Sequence, residues 1–219
     1  NNKILNLKNI FRDISYDSVF ICSNLNYKYN KSQENILKDI NFDILPSESL
    51  CIVGSSGSGK STLMDLLLGL LIQEKGDIGL LKIKKFNKGL PFSDSDIIKN
   101  HQVQNCMSYI SQNGYIYNDS ILWNLIPFKP LNSYSKNDYL EIDNILKIVH
   151  LYDFINSLPE RIYSLVGDSG ALLSGGQKQR LILARALLRK KRYLFADEIT
   201  SALNNDLSIN VIDNVIKYQ

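Results

Sequence analysis

The segment Gly54-Ser-Ser-Gly-Ser-Gly-Lys-Ser61 constrains this chain more than any other. It spells G-x-x-x-x-G-K-[ST], with the apolar run Leu50-Cys-Ile-Val53 before it and Thr62-Leu-Met-Asp-Leu-Leu-Leu68 after it. The first run predicts a buried parallel strand and the second a helix. Strand, glycine loop and helix in that order are the setting such a loop needs. Gly54, Gly57 and Gly59 allow backbone conformations that a β-carbon disfavours. Successive N–H groups, those of Ser55, Ser56 and Ser58 included, can then turn toward an anion at a helix N-terminus. Lys60 adds a full charge, and a close ion pair at a surface-like dielectric is worth ~4 kcal/mol. Ser61 offers a hydroxyl suited to Mg²⁺, and Thr62 closes the set. The predicted ligand is a nucleoside triphosphate with Mg²⁺.

A second strand brings carboxylates. Tyr193-Leu-Phe-Ala196 is a short apolar run ending in Asp197-Glu198, after the basic stretch Arg189-Lys-Lys-Arg192. Open α/β sheets bind ligands at the carboxyl ends of their strands, where this pair would sit. Asp197 is the candidate for orienting Mg²⁺. Glu198 is the candidate general base for the water that attacks the terminal phosphate, an effect worth ~10²–10⁴-fold. The basic stretch reads as a solvated loop.

Leu173-Ser-Gly-Gly-Gln-Lys-Gln-Arg180 carries a resemblance that covers nearly all of the chain from about residue 18 onward. With the phosphate loop, it resembles the nucleotide-binding domain of an ATP-binding-cassette (ABC) transporter. In that family the Leu-Ser-Gly-Gly-Gln stretch contacts the γ-phosphate held by the other subunit. The resemblance therefore implies that Ser174, Gly175, Gly176 and Gln177 serve the ATP of a second copy. The residues allow it, because Ser174 can cap the amphipathic helix read over Gln177 to Leu188. Leu25-Asn-Tyr-Lys-Tyr29 resembles the strand whose last aromatic, here Tyr29, stacks on adenine. Ser108-Tyr-Ile-Ser-Gln112 is similar to the strand leading to the family's Q-loop, which makes Gln112 a Mg²⁺ ligand and γ-phosphate sensor. Leu165-Val-Gly-Asp-Ser-Gly170 and Tyr115-Ile-Tyr-Asn-Asp-Ser-Ile121 resemble exporter segments more than importer ones.

Two departures from the family pattern stand out. Its D-loop reads Ser-Ala-Leu-Asp, and here the residues are Ser201-Ala-Leu-Asn204, one charge fewer. Its switch histidine lies on a further strand beyond the helix read over Asn205 to Lys217. His101 and His150 are placed too early to be that residue, so the domain reads as cut short of it.

Composition narrows the surroundings. A net charge of +3 is too small to argue for nucleic acid. Cys22, Cys51 and Cys106 form no C-x-x-C pair and fit a reducing compartment. The longest apolar stretch, Leu66 to Ile72, is too short to span a bilayer, and no signal peptide is visible. The expected fold is α/β, a P-loop NTPase core with a mixed sheet, flanking helices, an antiparallel edge sheet and an α-helical subdomain. Residues 1–17 read as a linker from an upstream, membrane region of the same parent chain. Residues 18–112 read as the ATP-binding core, 113–173 as the helical subdomain with a helix over Lys136 to Val149, and 174–219 as the return to the core.

The resemblance implies an ATPase motor of an exporter at the cytoplasmic face of a membrane, the bacterial inner membrane, working as a homodimer around two Mg·ATP. A soluble ABC ATPase is one alternative. The stretch between Gln112 and Ser174 is too short for the coiled coil of the DNA-maintenance kind, and translation factors carry two cassettes. A weakly hydrolysing or non-hydrolysing ATP-gated dimerisation module is the other, opposed by the intact Lys60, Asp197 and Glu198.

Overall fold

The computed structural model describes residues 18–29, 35–82, 97–98, 101–112, 114–199 and 201–218. The expected linker, residues 1–17, lies outside them. The chain divides into two compact units, residues 1–105 and 106–219.

In the first unit, four antiparallel strands run in the order β2-β1-β3-β4: β1 Ser18–Tyr27, β2 Leu37–Ile44, β3 Lys75–Lys82 and β4 Ile97–Ile98. Register pairs Phe20 with Ile44 on one side of β1 and with Leu80 on the other. Flanked on both edges, β1 has its backbone N–H and C=O groups paired on either side. Its Val19, Phe20, Ile21 and Cys22 are all buried, and Val19 and Ile21 pack with Leu81 on one face. Burial raises the Cys22 thiol to a pKa of about 12, so it acts as a small hydrophobe. Helix α1, Lys60–Leu67, buries Thr62, Leu63, Leu66 and Leu67 along one stripe. It stops at Gly69, φ +70, and Gln104 of the short α2, His101–Gln104, donates to the Leu68 carbonyl at 3.1 Å.

One expectation fails in this unit. Leu50 to Val53 forms no strand; Leu50 is 49% and Val53 84% exposed. An apolar run becomes a strand only where a neighbouring edge accepts its N–H and C=O groups. Among the described residues no strand pairs with it.

The second unit pairs β5 Met107–Ile110 with β6 Tyr193–Ala196 in parallel, Met107 opposite Tyr193 and Ile110 opposite Ala196. A parallel pair needs a long crossover, and here it holds most of the helices. They are α3 Ile121–Leu125, α4 Lys136–Ile148, α5 Tyr152–Ser157 and α6 Gly175–Leu188, with α7 Asn205–Tyr218 after β6. The core gathers Ile142, Ile145 and Leu146 of α4, Leu181, Ala184 and Leu187 of α6, and Val211 and Val215 of α7. Each leucine so buried is worth roughly 1.5–3 kcal/mol.

Helix α4 starts at a capping box. Ser135 Oγ accepts from the Asp138 N–H at 3.2 Å, and Asp138 Oδ2 accepts from the Ser135 N–H at 2.7 Å. Lys129 adds an ion pair to Asp138 at 2.7 Å. The predicted helices over Lys136 to Val149, Gln177 to Leu188 and Asn205 to Lys217 are all present. Residues 126–134 are irregular apart from a 3₁₀ turn at Leu131–Ser133.

Candidate functional site

The glycine loop lies in the first unit. Gly57 at φ +80 and Gly59 at φ +90 take left-handed conformations, and Gly59 sits at the N-cap of α1. A β-carbon at Gly59 would also meet the side chains of Ile36 and Leu37 at 3.1 Å. Both demands select glycine. Lys60 folds over the loop, its Nζ donating to the Gly54 and Ser55 carbonyls at 2.8 Å each. Ser61 is exposed beside it. Thr62 is buried, with its hydroxyl 3.3 Å from the Tyr29 hydroxyl. That contact brings Tyr29, 44% exposed and edge-on to Tyr27 at 5.1 Å, to the first turn of α1. Glycines at positive φ before a helix start, a lysine bonded to their loop and an exposed ring by the helix's first turn are parts that fit a nucleoside triphosphate.

The carboxylates lie in the second unit. The Asp197 N–H donates to the Ile110 carbonyl at 2.9 Å, continuing the β5–β6 pairing to the strand ends. Glu198 follows at φ +48, a left-handed conformation that costs a non-glycine residue ~1–2 kcal/mol. The Gln112 Nε2 donates to Glu198 Oε2, joining two candidates that are 86 residues apart in the chain. Among the described residues no three His, Cys, Asp or Glu side chains form a metal cluster. The Asp197 carboxylate and the Gln112 amide oxygen in this unit, and the exposed Ser61 hydroxyl in the first, are oxygen donors of the kind Mg²⁺ takes.

Ser174 caps α6 in a second capping box: its Oγ accepts from the Gln177 N–H at 3.2 Å, and Gln177 Oε1 accepts from the Ser174 N–H at 2.7 Å. Gly175 and Gly176 lie against Ala202 and Leu203. A β-carbon at Gly176 would come to 2.9 Å from Leu203 Cδ2 and 3.1 Å from the Ala202 carbonyl. The first turn of α6 thus seats on the loop after Glu198. Asn204, the uncharged departure, has a structural use. Its Oδ1 accepts from the Leu207 N–H at 2.9 Å and caps α7, a task asparagine performs as well as aspartate.

Sequence reasoning missed two residues on α6. Gln179 donates from Nε2 to Ser201 Oγ at 2.8 Å and accepts the Ala202 N–H at 3.0 Å. Arg185 donates to the Asn124 carbonyl, to Asn124 Oδ1 at 2.9 Å and to the Tyr115 carbonyl at 2.7 Å, with its guanidinium 5.3 Å over the Tyr117 ring. Burial lowers the pKa of Arg185. The available signal was an arginine inside the apolar run Leu181 to Leu188 and, for Gln179, none.

A triphosphate loop at a helix start and paired strands ending in carboxylates define an ATP-binding domain of the P-loop NTPase class. Residues 37–201 match the ABC transporter family, and the chain belongs to it, as an ATP-binding domain of the exporter kind. It is 34% identical over 216 residues, 98% of this chain and 35% of the relative, to a multidrug resistance-like ATP-binding protein MdlA of Buchnera aphidicola subsp. Baizongia pistaciae. It is 35% identical over 199 residues, 89% of this chain and 32% of the relative, to an ATP-dependent lipid A-core flippase of Wigglesworthia glossinidia brevipalpis. A bacterial Atm1-family ABC exporter solved with ATP bound superimposes with a TM-score of 0.71 at 28% identity, over 91% of this chain and 32% of that one. The chain thus spans about a third of the length of these relatives. Among the described residues no helix is long and apolar enough to cross a membrane.

Proposed function

We propose that this chain is the ATP-hydrolysing motor of an exporter and that it works at the cytoplasmic face of a membrane. The observation that carries the reading is the Gln112 amide on the Glu198 carboxylate at the ends of two parallel strands. That bond fixes one carboxylate oxygen and leaves the other to take a proton, which supports the reading of Glu198 as the general base. Gly54 to Thr62 hold the phosphates, Lys60 offsets their charge, and Tyr29 receives the adenine. Ser61, Gln112 and Asp197 would hold Mg²⁺, which when bound neutralises charge between the β- and γ-phosphates.

Ser174, Gly175, Gly176 and Gln177 serve the nucleotide of a second copy. The N-terminus of the 14-residue α6 presents N–H groups and partial positive charge to an anion. The remaining two thirds of the relatives' length support a membrane domain on the same parent chain as the other partner. Asn204, one charge fewer than the family's aspartate, motivates the alternative of a module that binds ATP without hydrolysing it, and the intact Lys60, Asp197 and Glu198 oppose it. Glu198→Gln in the full-length protein tests the reading. ATP turnover should fall by roughly two orders of magnitude or more while an ATP-bound dimer accumulates in light scattering. Undiminished turnover would contradict it.

A further inference from the structure

We infer that Gln179 is a positioning residue: it ties the helix that begins with Ser174 to the loop carrying Glu198, so that one nucleotide's contacts set the base serving the other. This rests on the proposed roles of Ser174 and Glu198. Glu198 occupies a backbone conformation that L-residues rarely adopt, φ +48, so its neighbours must hold it. Ser201 does so directly, its N–H donating to the Glu198 carbonyl at 3.2 Å and its Oγ to the same oxygen at 3.1 Å. Gln179 holds Ser201 in turn. Its Nε2 donates to Ser201 Oγ at 2.8 Å and lies 3.5 Å from the Glu198 carbonyl, while its Oε1 accepts the Ala202 N–H at 3.0 Å.

The chemistry is selective. A side-chain amide offers a donor and an acceptor on one planar group, and both ends are used. Glutamate would keep the bond to Ala202 but lose the donor, and could bond Ser201 only by drawing its hydroxyl off the Glu198 carbonyl; lysine would keep the donor and lose the acceptor. Gln179 lies two residues beyond Gln177, which closes the cap on Ser174, and Gly175 and Gly176 rest on Ala202 and Leu203. A shift of this first turn of α6 therefore carries Ser201 and the Glu198 backbone with it. Displacing a catalytic group by about 1 Å costs on the order of 10²-fold in rate, so a link this short can govern turnover without touching nucleotide.

The test compares Gln179→Met, which keeps the shape and removes both bonds, with Gln179→Glu and Ser201→Ala in the full-length protein. For Gln179→Met, kcat should fall roughly tenfold or more. The affinity and stoichiometry for a non-hydrolysable ATP analogue should stay within about twofold of the parent, whereas a purely structural defect would lower the stoichiometry. Gln179→Glu should fall between the two. Adding Ser201→Ala to Gln179→Met should cost little more, because both act through one network. Should Gln179→Met lose its unfolding transition, Gln179→Glu is judged by the same kcat and affinity criteria. Unchanged kcat in the folded variant would overturn the link. So would additive losses in the double variant.

Glu198→Gln run alongside separates the two ideas. Normal turnover there would remove Glu198 as base, and the inference with it. A dead Glu198→Gln beside a normal Gln179→Met would remove the inference alone.

Discussion

The two units build their candidate sites from different materials. The first builds its site from backbone: glycines at positive φ, a helix start, and a lysine that bonds the carbonyls of its own loop. The second builds its site from side chains reaching across the chain. Gln112 meets Glu198, Gln179 meets Ser201 and Ala202, and Arg185 meets Tyr115 and Asn124. A backbone cradle adapts to an anion whose charge does most of the binding. A hydrolytic base must be held in one place, and a network of fixed bonds does that. Changes in the second unit should therefore register first in stability and turnover.

The largest stability effect should come from Arg185→Leu. It leaves the Asn124 carbonyl, the Asn124 Oδ1 and the Tyr115 carbonyl without this donor, in a region where Asn124 is fully buried. A loss of about 3 kcal/mol is expected from the unmet acceptors. Urea unfolding would measure it, and a midpoint like the parent's would show that the guanidinium is not a keystone of this unit. Gly176→Ala comes next. Its methyl would press on Leu203 and the Ala202 carbonyl, for ~1–3 kcal/mol. Turnover should fall with it, since the same loop holds Glu198. An unchanged rate would mean that α6 and the loop move independently.

What was legible in the chain follows the same division. The residues from Gly54 to Ser61 announce themselves because a glycine loop, a helix start and a lysine fall within eight positions. Helix α4 is equally readable, since Ser135 and Asp138 form a cap from neighbouring residues and Ile142, Ile145 and Leu146 share one face. Leu50 to Val53 misled because a strand is a property of two segments, and its apolar character carries no information about the second. Gln179 was invisible for a related reason. Its partners, Ser201 and Ala202, are more than twenty residues away, and nothing in a Lys-Gln-Arg run says which side chain turns inward. Resemblance to a family filled part of that gap, naming Gln112 and Ser174 where periodicity could not.

The smallest effect concerns acid. The Lys129 ammonium and the Ser135 N–H and hydroxyl beside Asp138 hold its carboxyl well below the usual carboxylate range. A carboxyl with a lowered folded pKa contributes its stability above the unfolded value, ~4. That contribution is lost as pH falls toward the folded value. The parent should therefore be more stable than Asp138→Asn at pH ~7, and the gap should shrink as pH drops below ~4. Thermal unfolding of both proteins across that range would show it. A gap that stays constant down to acid would mean that the charge on Asp138 contributes nothing beyond its shape.

The division of labour itself is tested most directly by measuring ATP affinity and turnover for Lys60→Ala and Glu198→Gln side by side in the full-length protein. Lys60→Ala should lose at least roughly a hundredfold in affinity, within the ~4 kcal/mol that a close charge pair can supply, and its turnover should fall with it. Glu198→Gln should bind ATP within a few-fold of the parent and lose roughly two orders of magnitude or more in turnover. Parent-like affinity in Lys60→Ala, or binding and turnover falling in equal measure in Glu198→Gln, would contradict the account.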